Sequence, residues 1–382
     1  MAPFKKYTII AIVNFVIFTI LLCIVETGLN LRYGPQSKNA PKLIRYIHLK
    51  EFKASADYYS TPTDDYLKNK ENLEQKPYRI RTDNDGFLIG PANKDSSETV
   101  DIIFYGGSTT ACVFVDEEKR FPYLVQNLMN SKLNVEIQVL NSGVPGKTSK
   151  LSTLDFLSKG LKKKPKLVVL MHNINDLVLL QKTGNFFDGP KSRSVVHSNL
   201  NIGRLRVINN SFLKTINSIV PNVYTAGNTV YNLTFKKSND HIDEWRGFRN
   251  EGINDTVHIC SEFEKSIKTF IAIAKSNKIE VLLMTQFNRM NINDKFIVDN
   301  FYNSHRKESR IQRGIKETIG TYTELNNIIR KIAKDENLNL LDLDKLVPKN
   351  NNYIVDQVHL NTRGSEYVAK IVSESNLDNY YK

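Results

Sequence analysis

The distribution of apolar and polar positions divides the chain into three textures. Tyr7 to Val25 (YTIIAIVNFVIFTILLCIV) is free of charge and follows Lys5 and Lys6. As a helix at 1.5 Å per residue it would reach about 28 Å, close to the hydrocarbon thickness of a bilayer. Glu26-Thr27-Gly28-Leu29-Asn30 then offers no small-x-small cleavage site, which favours a retained anchor over a removed signal. Residues 1–6 read as a cytoplasmic tail, 7–25 as the anchor and 26–98 as a membrane-proximal stalk that packs partly on the main domain. That stalk is polar, lacks a sustained period, and is punctuated by Pro35, Pro41, Pro62 and Pro77. Lys5 and Lys6 favour a cytoplasmic amino terminus, which puts the rest of the chain outside. The basic residues after the helix (Arg32, Lys38, Lys42 and Arg45) pull the other way.

From residue 99 short apolar runs alternate with helical patterns. Val100–Tyr105, Val135–Leu140, Leu167–Met171, Ile279–Met284 and Leu338–Leu343 read as buried strands. Phe121–Met129, Leu151–Leu161, a long pattern closing at Ile328–Ile332, and Tyr367–Val372 read as helices. Buried strands alternating with helices predict an α/β domain over 99–382, its parallel sheet covered on both faces. Its ligand loops would lie at the C-terminal strand ends, near a topological switch point. Residues 182–252, rich in Asn, Ser, Gly and aromatics, interrupt the rhythm and read as an insertion.

Composition narrows the function classes. The net charge of +13 suggests an anionic neighbourhood, but the basic residues are scattered and no nucleic-acid-reading motif accompanies them. A solvated Lys-rich surface is the simpler reading, and no nucleic-acid partner is expected. The three cysteines (Cys23, Cys112 and Cys260) form no disulfide framework and no metal-type spacing. The seven histidines show no H-x-H or H-E-x-x-H pattern, and no phosphate-binding G-x-x-x-x-G-K-[ST] loop is present. No metal or cofactor is expected, and Cys112 is expected to be buried and inert.

Four segments follow predicted strands or precede the last helix. In Gly106-Gly107-Ser108 two glycines let the chain turn sharply and present a hydroxyl at a helix start. Asn141-Ser142-Gly143 places a glycine N–H where no Cβ blocks approach to an oxygen. His172-Asn173-Ile174-Asn175-Asp176 supplies an amide as a second oxyanion donor. In Asp356-Gln357-Val358-His359 a carboxylate three residues before a histidine can accept from Nδ1–H, leaving Nε2 toward a nucleophile. Taken singly each is ordinary loop chemistry, a serine N-cap or a solvated histidine; it is their order that is informative.

In that order the chain resembles the SGNH hydrolases, the GDSL esterases and lipases, and within them the membrane-anchored bacterial members. Ser108, Gly143, Asn175 and His359 match the four blocks, and Asp356 matches the acid three residues before the family histidine. Tyr78–Phe87 (YRIRTDNDGF) resembles the segment preceding the nucleophile block in anchored members. Two departures stand out: Gly107 replaces the usual Asp before the serine, and Asn173 replaces the usual Gly two residues before Asn175. The resemblance implies a flavodoxin-like three-layer α/β/α sandwich and metal-free acyl-ester chemistry. Ser108 would be the nucleophile, His359 the base and Asp356 the orienting acid, with Ser108, Gly143 and Asn175 as the oxyanion hole. The expected activity is that of a serine esterase on an acyl-ester substrate, with an O-acylated cell-envelope polysaccharide favoured. Alternatives are an O-acyltransferase of a surface glycan, a non-catalytic anchored carbohydrate-binding protein, and a basic scaffold for anionic lipid or polymer.

Overall fold

A computed structural model describes residues 2–33, 45–91, 100–134, 136–187, 189–190, 193–198, 219–223, 255–306, 314–375 and 377. Most of the insertion expected at 182–252 lies outside the described residues. The chain divides into two compact units, one of residues 1–47 with 196–247 and one of 48–195 with 248–382.

The first unit contains a 32-residue helix, α1 (Ala2–Tyr33), and a strand, β1 (Arg45–Ile47), which pairs antiparallel with β7 (Val196–Ser198). Within α1, Ile10–Arg32 has a mean hydropathy of 2.5 and is long and apolar enough to cross a bilayer. The helix overruns the expected end at Val25 because Glu26, its next residue, has partners. Its carboxylate accepts from the Asn222 backbone N–H and side-chain amide, both at 3.0 Å, and from Val223 N–H at 2.9 Å.

The second unit is built on a five-stranded, all-parallel sheet. Its strands are β4 (Ile102–Gly106), β5 (Val139–Asn141), β6 (Leu167–Met171), β8 (Glu280–Met284) and β9 (Asn339–Leu341), in spatial order β5-β4-β6-β8-β9. Counting only these five, the order is 2-1-3-4-5, the flavodoxin-like arrangement, with its switch point between β4 and β6. Every residue of those two strands is buried, as expected for central strands covered on both sides. One face carries Ile102, Phe104, Val169 and Leu282, packed against α4 (Phe121–Leu133) and α11 (Thr362–Ser373). On the other, Tyr105 meets Phe156 and Phe270, the latter from α7 (Thr256–Ser276). Each fully buried Leu, Ile or Val is worth ~1.5–3 kcal/mol, so this double coverage fixes which strands lie at the centre.

Two of the boundaries that differ from the apolar pattern do so for local reasons. The strand expected from Val135 begins at Val139, because Ile137 N–H donates to Asn130 Oδ1 and Gln138 N–H to Asp101 Oδ2 rather than to a neighbouring strand. The strand expected to reach Leu343 stops at Leu341, because Asp344 N–H donates to Thr285 Oγ1 and a short helix, α10 (Leu343–Leu346), begins.

Residues 48–90 fall within the segment expected to be a membrane-proximal stalk that packs partly on the main domain. They belong to the second unit. β2 (Asp57–Ser60) and β3 (Tyr78–Arg81) form an antiparallel pair, and Leu88 exchanges backbone hydrogen bonds with Asn141 at the end of β5. Tyr78, Ile80, Phe87 and Leu88 are buried. Single apolar residues spaced by charged ones hid this core contribution from a search for longer periodic runs.

Below the C-terminal end of β5 lies a buried ion pair. Lys147 Nζ is 3.0 Å from Asp155 Oδ2 on α5 (Ser149–Asp155), and both side chains are 1% exposed. Lys147 also donates to the Ser142 carbonyl at 2.9 Å, and the Ser142 hydroxyl donates to Asp155. Burial would raise the Asp155 carboxyl, but Lys147 and Lys159 outweigh it and hold the group below its ordinary value. Breaking such a pair leaves an uncompensated buried charge, which costs ~3–5 kcal/mol. Asp155→Ala should therefore lower unfolding stability by about that amount in urea titrations of the full chain in micelles; a loss below about 1 kcal/mol would contradict the buried pair.

Candidate active site

The loop after β4 is shaped by close approach. Gly107 leads into a single helical turn, α3 (Ser108–Ala111), which ends at Cys112 in the left-handed region (φ 48°). A Cβ on Gly107 would lie 2.2 Å from Asn175 Nδ2, so any larger residue here would require the Asn175 amide to move. Opposite, a Cβ on Gly143 would lie 2.4 Å from the Ala111 nitrogen, which explains the glycine in that block.

The structure brings Ser108, His359 and Asp356 into one hydrogen-bonded line across 251 residues of sequence. His359 Nε2 is 2.8 Å from Ser108 Oγ, and His359 Nδ1 is 2.7 Å from Asp356 Oδ2. The other carboxylate oxygen, Oδ1, accepts from the backbone N–H of Val358 (2.8 Å) and of His359 (2.7 Å). A tight backbone link from Val355 N–H to the His359 carbonyl (2.7 Å) closes this loop. An Asp356 carboxylate accepts only, so Nδ1 carries the proton and Nε2 is left as the acceptor facing the hydroxyl. Burial alone would raise the Asp356 carboxyl; His359 and Lys70 beside it more than reverse this and hold it well below the usual carboxylate range.

The expected oxyanion donors are placed unevenly. Asn175, on α6 (Ile174–Thr183), has its amide against Gly107 and donates to the Lys147 carbonyl at 3.0 Å. Its Oδ1 accepts from Arg193 at 3.3 Å, which fixes the amide's orientation. The Gly143 N–H donates to Asn141 Oδ1 at 2.8 Å, so any second acceptor must share it. Asn173, standing where relatives carry glycine, turns its amide into the helix α9 (Ile315–Asp335), donating to the Tyr322 carbonyl (2.9 Å) and Asn326 Oδ1 (3.0 Å). His172 is occupied by the Ser152 hydroxyl at 2.8 Å. Cys112 is buried, and burial pushes its thiol up to about 12, which keeps it protonated. Among the described residues no cluster of three His, Cys, Asp or Glu side chains could hold a metal ion.

Sequence reading missed Lys70 altogether. Its Nζ contacts Asp356 Oδ2, the oxygen facing His359, and the two residues are 286 positions apart. No local pattern marks such a pairing. It likewise missed that the polar segment 52–73 walls a cavity of about 520 Å³ opening on Ser108 and His359.

The model for the GDSL-like lipase/acylhydrolase family matches residues 104–367. No curated protein matches the chain. Among solved structures it is similar to the acetyl xylan esterase AlAXEase, at 20% identity and TM-score 0.40, covering 73% of this chain and 100% of that one. It is also similar to a GDSL-like lipase from Bacteroides thetaiotaomicron (14% identity, 73% and 90% covered, TM-score 0.39). A catalytic mutant of an acetylxylan esterase from Geobacillus stearothermophilus is a third (15% identity, 73% and 96% covered, TM-score 0.40). With the family match spanning well over half its length and containing all four ordered blocks, the chain belongs to the GDSL-like lipase/acylhydrolase family of ester-hydrolysing serine enzymes.

Proposed function

We propose that this enzyme cleaves carboxylic esters through an acyl-enzyme formed on Ser108, with His359 as general base and Asp356 as its orienting acid. The observation that carries this reading is the unbroken line from Ser108 Oγ through both ring nitrogens of His359 to Asp356. In this reaction Ser108 Oγ attacks the ester carbonyl carbon while His359 Nε2 takes its proton. Asp356 stabilises the imidazolium that results. The tetrahedral oxyanion is held by the Ser108 N–H and the Asn175 amide, with Gly143 sharing its N–H. Collapse returns the proton from His359 to the departing alkoxide, which leaves as the alcohol. Water then attacks the acyl-enzyme by the same path and releases the acid. An acylated hydroxyl compound of the cell envelope, such as an O-acylated polysaccharide, is the proposed natural substrate. Ile10–Arg32 supports a membrane anchor, and Lys5 and Lys6 support a catalytic unit outside the cytoplasm.

Ser108→Ala should abolish fluorophosphonate labelling and lower turnover by about four to six orders of magnitude, with His359→Ala costing a similar factor and the pair adding little more. Asn175→Ala should cost about 10²–10³, the value of one oxyanion donor. Full esterase activity in folded Ser108→Ala would refute the mechanism. For topology, a reporter fused after Lys382 should be active only if it requires an extracytoplasmic location; activity confined to a cytoplasm-dependent reporter would overturn that placement and leave the chemistry intact.

A further inference from the structure

The cavity at Ser108 carries information about the acyl group. At about 520 Å³ it is of the size that accommodates drug-sized molecules, ~300–1,000 Å³, many times what an acetyl group fills. Tyr58, Tyr66, Leu73, Val113 and Phe114 give the wall its mainly apolar character beside the hydroxyls of Ser60, Thr61 and Thr63, and none of the described residues lining it is Asp, Glu, Lys or Arg. The wall is held in shape by ring contacts, Phe114 lying 4.9 Å from Tyr66 and 5.7 Å from Tyr78. A sugar ring seated here would leave many of its hydroxyls against carbon, with only the few wall hydroxyls as partners, which is costly; a hydrocarbon chain has no polar groups to leave unpaired. Tyr58, Tyr66 and Leu73 come from outside residues 104–367, so this part of the wall lies beyond the region shared with the family.

Resting on the proposed ester cleavage, we propose that this cavity is an acyl-chain site that selects linear acyl groups of about six or more carbons over acetyl. A buried methylene is worth up to about fourfold in kcat/KM, the equivalent of ~0.8 kcal/mol. The full chain in lipid nanodiscs, assayed on p-nitrophenyl acetate, butyrate, hexanoate and octanoate below their micellar concentrations, should therefore show kcat/KM rising at least tenfold from acetate to octanoate. Leu73→Trp, which narrows the cavity, should reduce the octanoate-to-acetate ratio about tenfold or more. Highest kcat/KM on acetate would overturn the chain-length selection and leave the esterase reading standing. Cleavage of none of the four esters would overturn both.

A separate observation concerns Lys70. Its side chain is 9% exposed, and its Nζ lies 4.6 Å from the centre of the Tyr66 ring as well as against Asp356. The loop bearing it is pinned to the loop bearing Asp356 and His359: Glu71 N–H donates to the Val355 carbonyl at 2.7 Å, and Arg289 joins Glu71 while its N–H donates to the Gln357 carbonyl at 2.8 Å. Asn300 adds a bond to the Asn69 carbonyl at 2.8 Å. Among the described residues the charged and titratable groups facing the carboxylate are thus Lys70, His359 and Tyr66, with the Arg289–Glu71 and Arg289–Asp294 pairs behind.

We infer that Lys70 is a positioning residue for the Asp356–His359 pair, setting both its geometry and the pH below which it stops working. With Lys70 in place the Asp356 charge is partly compensated, and an imidazolium beside it is stabilised less. In Lys70→Met the uncompensated carboxylate favours the imidazolium more strongly in the free enzyme. The acid limb of kcat/KM against pH should then move upward by about half a unit or more, whereas Lys70→Arg should keep the native limb. A limb unmoved in Lys70→Met, whether or not kcat falls, would overturn the electrostatic role. Loss of folding in Lys70→Met would leave Lys70→Gln, monitored for native circular dichroism, to make the same comparison: the upward shift supports the inference and an unmoved limb overturns it.

Discussion

A carboxylate removed from water has to be compensated, and much of this site's geometry follows from how Asp356 is compensated. Its side chain is 2% exposed. An isolated charge there would cost several kcal/mol. Four donors meet it: the His359 ring, two backbone N–H groups of its own loop, and Lys70. The ring bond fixes the tautomer, the backbone bonds fix the loop, and the lysine draws an amino-terminal segment onto the carboxy-terminal end of the fold. The electrostatic requirement of one residue thus joins the two ends of the catalytic unit and seats the wall of the cavity beside Ser108.

The sheet determines where this can happen. In the order β5-β4-β6-β8-β9 the chain reverses direction of winding between β4 and β6, and the loops after those strands diverge to leave a crevice. Ser108 follows β4 and Asn175 follows β6, so Gly107 and the Asn175 amide come into direct contact there. Beneath the loop after β5, the Lys147–Asp155 pair with Ser142 ties down the segment that carries Gly143. The pair fixes a loop conformation, and its desolvation offsets much of its attraction.

What the sequence made legible was whatever depends on local pattern. Leu167–Met171 coincides with its predicted strand because five consecutive buried residues leave no other reading. Ser108, Asn175, Asp356 and His359 were singled out because each sits in a short loop with its own chemistry, and their order restricts the fold. Lys70 was invisible, since its partner is 286 residues away and a lone lysine in a polar segment resembles any solvated one. How far residues 48–90 pack into the second unit is hidden for a related reason: Tyr78 and Ile80 alternate with arginines whose charges are answered by Asp57 and Glu117, a pairing seen only in three dimensions. Gly143 illustrates the reverse limit, for its position follows from the pattern while the engagement of its N–H by Asn141 does not.

On the proposed mechanism the Ser108 oxygen becomes covalently acylated during turnover. Rapid acid quench of the enzyme with an octanoyl ester, followed by proteolysis and mass analysis, tests it most directly. The peptide containing Ser108 should gain one octanoyl group, hydroxylamine should remove it, and Ser108→Ala should show none. Sustained ester turnover with no acylated Ser108 peptide, or with the acyl group on another residue, would contradict it.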